Sequence, residues 1–157
     1  MQNSLKKKSV RYKTGDIFAI PLGDDCGYGY CRHLSGALTE FFKTQSKNQL
    51  NADDVKDWSV LFTVWVMDKP FRSASWPKIG NREVEELSPP IFFKQDSISK
   101  RLSLYQDGRE TPATLEDCQG LENAAIWSAN HIEDRLRDHF AGRPNKWVES
   151  LKPKGFS

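Results

Sequence analysis

Between Asp16 and Leu22 the chain runs Asp-Ile-Phe-Ala-Ile-Pro-Leu, six of seven residues apolar with Pro21 counted. A short unbroken apolar run predicts a strand buried on both faces, not an amphipathic surface strand. Phe18, Ile20 and Leu22 share one side of its pleat, and Ile17 and Ala19 the other. Gly23-Asp24-Asp25 supplies a turn. Gly27 to Leu34 returns as a second strand, with Gly27, Gly29, Cys31 and His33 on one face and Tyr28, Tyr30, Arg32 and Leu34 on the other. Glycine inside a strand marks a bend or the close approach of another group. A buried strand beside a glycine-bent strand predicts a curled sheet, a partial barrel nucleated by this hairpin.

A chain of 157 residues is one domain by size. The boundaries expected are a polar basic segment over 1–13, a single α+β domain over 14–151 and a short tail over 152–157. Lys6, Lys7, Lys8, Arg11 and Lys13 give the first segment its charge. It reads as a solvated end whose last residues, near Val10 to Tyr12, join the first strand; a phosphate-binding arm is the lesser reading. Apolar content of 38% and charged content of 28% are those of a soluble globular protein. The longest apolar run falls well short of the about 17 residues that a membrane span needs. The three basic residues near the start precede no apolar stretch and cleavage site, so a secretory signal is not expected. The expected location is the cytoplasm. A net charge of +2 is close to balance and argues against a dedicated nucleic-acid binder. Cys26, Cys31 and Cys118 are odd in number and include no C-x-x-C, which predicts reduced thiols.

Further along, Ala37 to Lys43 predicts a third strand after a Ser35-Gly36 turn. Asn51 to Val55 predicts a short helix, with Asn51 as cap and Asp53 and Asp54 at its positive end. Val60 to Met67, rich in β-branched and aromatic residues, predicts a central strand that Asp68-Lys69-Pro70 ends. Trp76 to Asn81 predicts a short strand, and Pro77 places it at an edge. Glu83 to Pro90 is a loop, Ile91-Phe92-Phe93 returns to the core, and Leu102 to Tyr105 alternates into an Asp107-Gly108 turn. Thr114-Leu115-Glu116-Asp117 has the form of a capping box. Leu121 to Phe140 then predicts one long helix. Ala125, Ala129, Ile132, Leu136 and Phe140 form its apolar stripe, and Glu133 and Arg137 are paired four apart. Gly142 ends it, and Pro144 opens a terminal turn whose Trp147 and Val148 fold back. Strands followed by a helix give an α+β fold: a curled, mostly antiparallel sheet covered by one long C-terminal helix laid on its concave face.

Chemistry is sparse. Cys31 and His33 point the same way from one strand with Cys26 nearby, yet a zinc site lacks its paired spacings and a fourth ligand. These read as buried side chains. His131, Asp134, Arg135 and Asp138 lie on the helix face opposite the stripe with Trp127 beside them. That face reads first as solvated, second as a binding surface anchored by tryptophan and arginine, and last as an acid–base site. Asp24-Asp25 and Asp53-Asp54 read as turn and helix-start residues, or as acidic contacts for a basic partner. Phosphate-loop, G-x-S-x-G, H-E-x-x-H and calcium-loop motifs are missing. No catalytic residue, metal or cofactor is expected.

Gly15 to Leu22 followed by Tyr28-Gly29-Tyr30-Cys31-Arg32 resembles the opening of the immunity protein 26 family of bacterial polymorphic toxin systems. Trp76-Pro77-Lys78-Ile79-Gly80 and Phe92-Phe93-Lys94-Gln95-Asp96 resemble its middle. Glu133-Asp134-Arg135-Leu136 and Gly142-Arg143-Pro144-Asn145-Lys146-Trp147 resemble its end. The likeness runs over roughly residues 15–150. It implies an α+β fold with a marker tryptophan toward the C-terminus, for which Trp127 and Trp147 both qualify. It also implies a cytoplasmic, non-enzymatic antidote that binds one cognate toxin domain, a nuclease being one possibility. It brings no binding residues with it.

The residues themselves offer exposed aromatics with flanking charges, namely Tyr28, Tyr30, Trp76, Trp127 and Arg135. Asp24, Asp25, Asp53 and Asp54 join them if the toxin is basic. The alternative is a nucleic-acid-binding module that stacks bases on Tyr28 and Tyr30 beside Arg32. A small enzyme using His131 with a carboxylate is a third reading.

Overall fold

A computed structural model describes residues 9–155. Of the basic residues behind the phosphate-arm reading, Lys6, Lys7 and Lys8 lie outside the described residues, while Arg11 and Lys13 lie within them. The first apolar run forms β1 (Asp16–Pro21), and the glycine-bent segment forms β2 (Tyr28–Ser35). They pair antiparallel, with Ile17 opposite Arg32 and Ile20 opposite Gly29. β3 (Leu38–Phe42) and β4 (Val60–Val66) extend the sheet on the β2 side, and β5 (Lys78–Asn81) closes it on the β1 side. The proline-marked strand is thus an edge, as expected. Between β4 and β5 a single helical turn, α1 (Lys69–Arg72), buries Phe71.

A second sheet consists of β6 (Phe92–Gln95), β7 (Leu102–Gln106) and β8 (Arg109–Ala113). Asp107 and Gly108 join the last two with φ of 49° and 79°, the geometry of a two-residue type I′ turn. After α2 (Leu115–Cys118), whose Thr114–Asp117 capping box is complete, the chain adds β9 (Glu122–Asn123) beside β6. It then crosses to place β10 (Ile126–Trp127) beside β4. Both additions are parallel; every other pairing is antiparallel. The strand orders are β10-β4-β3-β2-β1-β5 and β8-β7-β6-β9. Register shifts at Ile17/Phe18, His33/Ser35 and Phe41/Phe42 curl the larger sheet. It does not close into a barrel.

The C-terminal helix α3 spans Ala129–Phe140, not Leu121–Phe140. The helical spacing of Ala129 and Ile132 runs back to Ala125, but the open sides of β6 and β4 take the backbone groups of residues 122–127 as ladder partners. Ser128 is the true N-cap and accepts from the His131 N–H. The apolar stripe therefore starts at Ala129, and Ile132 and Leu136 are fully buried. Each contributes about 1.5–3 kcal/mol of burial. The Glu133–Arg137 pair does not form: Glu133 accepts from Trp76, and Arg137 pairs with Asp134 at 2.9 Å. Gly142, with φ of 70°, follows the helix, and α4 (Lys146–Ser150) folds back on it.

The two faces of β1 belong to two cores. Phe18, Ile20 and Leu22 pack with Cys31, Phe41, Val64, Ile132 and Leu136; Ile17 and Ala19 pack with Tyr30, Phe42 and Val55. Gly29 faces the first core, where an added Cβ would stand 3.2 Å from Leu136 Cδ1. The helix lies against the sheet at the residue that lacks a side chain. The opposite face is covered in two places. The 44–58 connection covers one end with Leu50, Val55 and Trp58, and the second sheet covers the other, where Phe92 and Tyr105 meet Trp65. Arg32 and Glu40 lie on this same face of β2 and β3.

Candidate functional site

The expected aromatic surface is largely core. Tyr30 is fully buried; its hydroxyl meets Ser46 Oγ at 2.5 Å and accepts from the Leu50 N–H at 2.9 Å. Trp76 is also fully buried, edge-on to Phe41 and Phe71. Trp127 sits on β10, not on the helix, and packs in the main core. Arg135 lies over the Phe62 ring at 3.6 Å and near Trp127 at 5.0 Å, while holding Glu122 through two hydrogen bonds of 2.7 and 2.9 Å. The exposure expected of Tyr30, Trp76, Trp127 and Arg135 is therefore corrected. Each found a partner distant in sequence that strand and helix periodicity do not reveal.

The helix face carrying His131, Asp134 and Asp138 is not free either. The His131 ring stacks on Trp147 at 3.6 Å. Asp134 accepts from Trp147 Nε1 at 3.1 Å, a hydrogen bond that, with Arg137, holds its carboxyl below the usual range. Asp138 accepts from Asn145 at 2.8 Å. The cluster is the seat of α4.

On β2, Cys31 and His33 do share one side. Burial pushes the Cys31 thiol well up and the His33 imidazole down. Both changes favour the uncharged forms, those of packed side chains. Tyr12 meets the His33 ring edge-on at 4.8 Å. Among the described residues, no three His, Cys, Asp or Glu side chains are grouped to hold a metal ion.

Tyr28 is half-buried, while Asp24, Asp25, Asp53 and Asp54 are exposed. Asp24 and Asp25 border a hollow with Gln45, Ser46 and Lys47 that Asp53 and Asp54 do not line. The latter pair stands on a 3-10 turn, Ala52–Asp54, against β5. Asn51 makes no side-chain cap there. With Tyr30 buried, the stacking platform of the nucleic-acid reading loses one of its two rings.

The same face holds a charged cleft that the strand pattern did not single out. Arg32 on β2 stands directly opposite Glu40 on β3. Arg32 Nε donates to Glu40 Oε1 at 2.7 Å, and Nη2 lies 2.5 Å from the same oxygen. Arg32 Nη1 reaches the carbonyls of Arg82 and Glu83, both at 3.3 Å. Both side chains are largely buried, at 15% and 11% exposure. The cleft above them, about 230 Å³, is walled by Leu34, Val84, Leu87 and Pro90, with Thr63 and Glu86 among its polar residues. The 82–91 segment that roofs it is tied down. Arg82 lies over the Trp58 ring at 4.5 Å, its N–H donates to the Gly15 carbonyl, and Gln106 donates to the Pro89 carbonyl. A signal for the pair was present: a hairpin centred on Gly36 sets residue 32 against residue 40, and these carry opposite charges.

The architecture is that of an α+β protein whose described residues pair a curled sheet and a smaller one beneath two C-terminal helices. No described helix is long and apolar enough to cross a membrane. Over residues 13–104, more than half of the chain, the sequence matches the family described as immunity protein 26, and the chain belongs to that family. The match covers β1 to β6, both strands of the charged cleft and its roof; it does not extend to Trp127 or Trp147. No curated protein and no solved structure matches the chain.

Proposed function

We propose that this chain is a cytoplasmic antidote that binds one cognate toxin domain and blocks it by stoichiometric association. The observation that carries this reading is membership of the immunity protein 26 family over residues 13–104. Immunity is a binding task, and the fold suits it. The two cores give a stiff frame, and the aromatic side chains that stabilise it are turned inward, so contact falls to loops and strand faces. Preformed surfaces bind with little rearrangement. A stable complex would bury about 1,200–2,000 Å². Tyr28, Asp24, Asp25, Asp53 and Asp54 remain available for such a contact, the aspartates chiefly if the toxin is a basic nuclease.

The test is survival. Cells that express a toxin domain encoded beside this gene should stop growing, and co-expression of this chain should restore growth. The two proteins should then co-purify in a one-to-one complex. Continued arrest despite soluble antidote would sink the reading. Recovery only of nucleic acid, released by salt, would favour the nucleic-acid alternative.

A further inference from the structure

The Arg32–Glu40 cleft is built in a way that sheet stability alone does not require. Both guanidinium nitrogens that face Glu40 converge on Oε1. Oε2 accepts no hydrogen bond from the described residues, yet it is not among the fully enclosed unpaired atoms, so it opens into the cleft that Glu40 lines. A carboxylate oxygen with free lone pairs at the bottom of a narrow hollow is a strong acceptor, because its surroundings screen it less than water does. The walls are apolar, and one of them, Leu87, is 43% exposed. Glu83, Glu85 and Glu86 are exposed on the roof segment above.

We propose that this cleft receives a basic side chain of the toxin, lysine or arginine, with its aliphatic stem between Leu34, Val84 and Leu87 and its cationic head on Glu40 Oε2. This rests on the immunity reading above. The charges lining the cleft fix the sign of the occupant. Arg32 and Glu40 offset each other, so the net charge lining the cleft is that of Glu86, while Glu40 Oε2 adds lone pairs that Arg32, held by Oε1 and two carbonyls, does not use. An anionic side chain would meet them with repulsion. A neutral apolar side chain would leave a buried acceptor without its water. A basic head on a methylene stem satisfies both the walls and the floor.

Two experiments separate this inference from the reading it rests on. In the first, n-butylammonium, n-propylguanidinium and butyrate are titrated separately onto the isotope-labelled full chain, and amide NMR shifts are followed. The two cations should give saturable shifts centred on Glu40, Thr63 and Leu87, and the stronger of the two indicates lysine or arginine. Glu40→Gln, which keeps an amide oxygen for Arg32, should abolish them. Equal shifts with butyrate, or cation shifts scattered over the surface, would overturn the proposal.

In the second, the neutralised toxin domain is titrated with Glu86→Lys and with Glu116→Lys, the latter lying on α2. Glu86→Lys should weaken binding by about tenfold or more, because it places like charge against the incoming head; Glu116→Lys should bind as the parent does. Wild-type binding with no loss in Glu86→Lys would overturn the cleft while leaving the immunity function standing. A wild type that binds no toxin would overturn the immunity reading itself.

Discussion

The Trp76 indole N–H donates to Glu133 Oε2 at 3.0 Å, joining residues 57 positions apart. It ties the segment leading into β5 to the middle of α3, across the main core. Trp76 is fully buried, so its N–H depends on this carboxylate. Glu133→Ala should cost about 1–3 kcal/mol, the penalty for leaving a buried donor unsatisfied. Glu133→Gln, which keeps an acceptor, should cost clearly less. Urea unfolding of the two variants checks the order; equal losses would show that the bond contributes little.

Trp127 lies 4% exposed between Arg135 and the main core. Trp127→Ala should therefore destabilise by about 3–5 kcal/mol, the usual cost of deleting a core aromatic. Its Nε1 has no hydrogen-bond partner among the described residues. Trp127→Phe should then lose only packing area and no hydrogen bond. Thermal unfolding should show a large drop for alanine and a modest one for phenylalanine. If alanine left the melting temperature unchanged, the core placement would be wrong.

Asp16 is an acid-sensitive joint of the fold. Burial alone would raise its carboxyl, but the Asn81 side chain, the Lys13 N–H and Lys78 outweigh that and hold it below the ordinary value. The contacts are 3.0, 2.8 and 3.0 Å. A carboxyl lowered by folding adds stability that is fully present above its unfolded value, about 3.9. That stability is lost as pH falls through the lower folded value. Asp16→Asn should be less stable than the parent at neutral pH, and the two should converge in acid. Denaturant midpoints measured from neutral pH to about pH 3 decide this; a constant gap would rule out the linkage.

Gly27 has φ of 69°, and a Cβ there would collide with the Ser46 carbonyl oxygen. Ser46 and Tyr28 exchange backbone hydrogen bonds of 2.8 and 3.1 Å at that point. Gly27→Ala should cost more than the about 1–2 kcal/mol of a left-handed alanine, because backbone must also shift. Gly29→Ala is tight only against the movable end of Leu136, with Leu22 and Phe140 at ordinary contact, and should cost less. Amide exchange at Tyr28 and Ser46 should rise in the first variant and stay protected in the second.

These residues also show what was legible in the chain. The two-faced burial of Ile17 to Leu22 followed from an apolar run too dense for a half-exposed strand. The close approaches at Gly27 and Gly29 followed from glycines that no strand would otherwise keep. Asp107-Gly108 and Thr114 to Asp117 were legible because turns and caps are local chemistry. The helix start was not. The spacing of Ala125, Ala129 and Ile132 continues through Ser128, and nothing local reports that residues 122–127 are needed as partners for β6 and β4. Nor could strand period expose Tyr30 as core, since Ser46 and Leu50 cover it from a connection without periodicity. His131 and Asp134 looked like a functional face because Trp147, which occupies it, comes later in the chain. The residues that looked most like an interface were those already used by another part of the molecule.

The decisive measurement is a titration of toxin activity against this chain at fixed toxin concentration. The immunity function proposed above predicts a linear fall that reaches zero at one equivalent and persists in high salt. Activity that is unchanged by excess antidote would contradict it. Complete loss at a small fraction of an equivalent would contradict it as well, since that would mean the chain acts on the toxin as a catalyst.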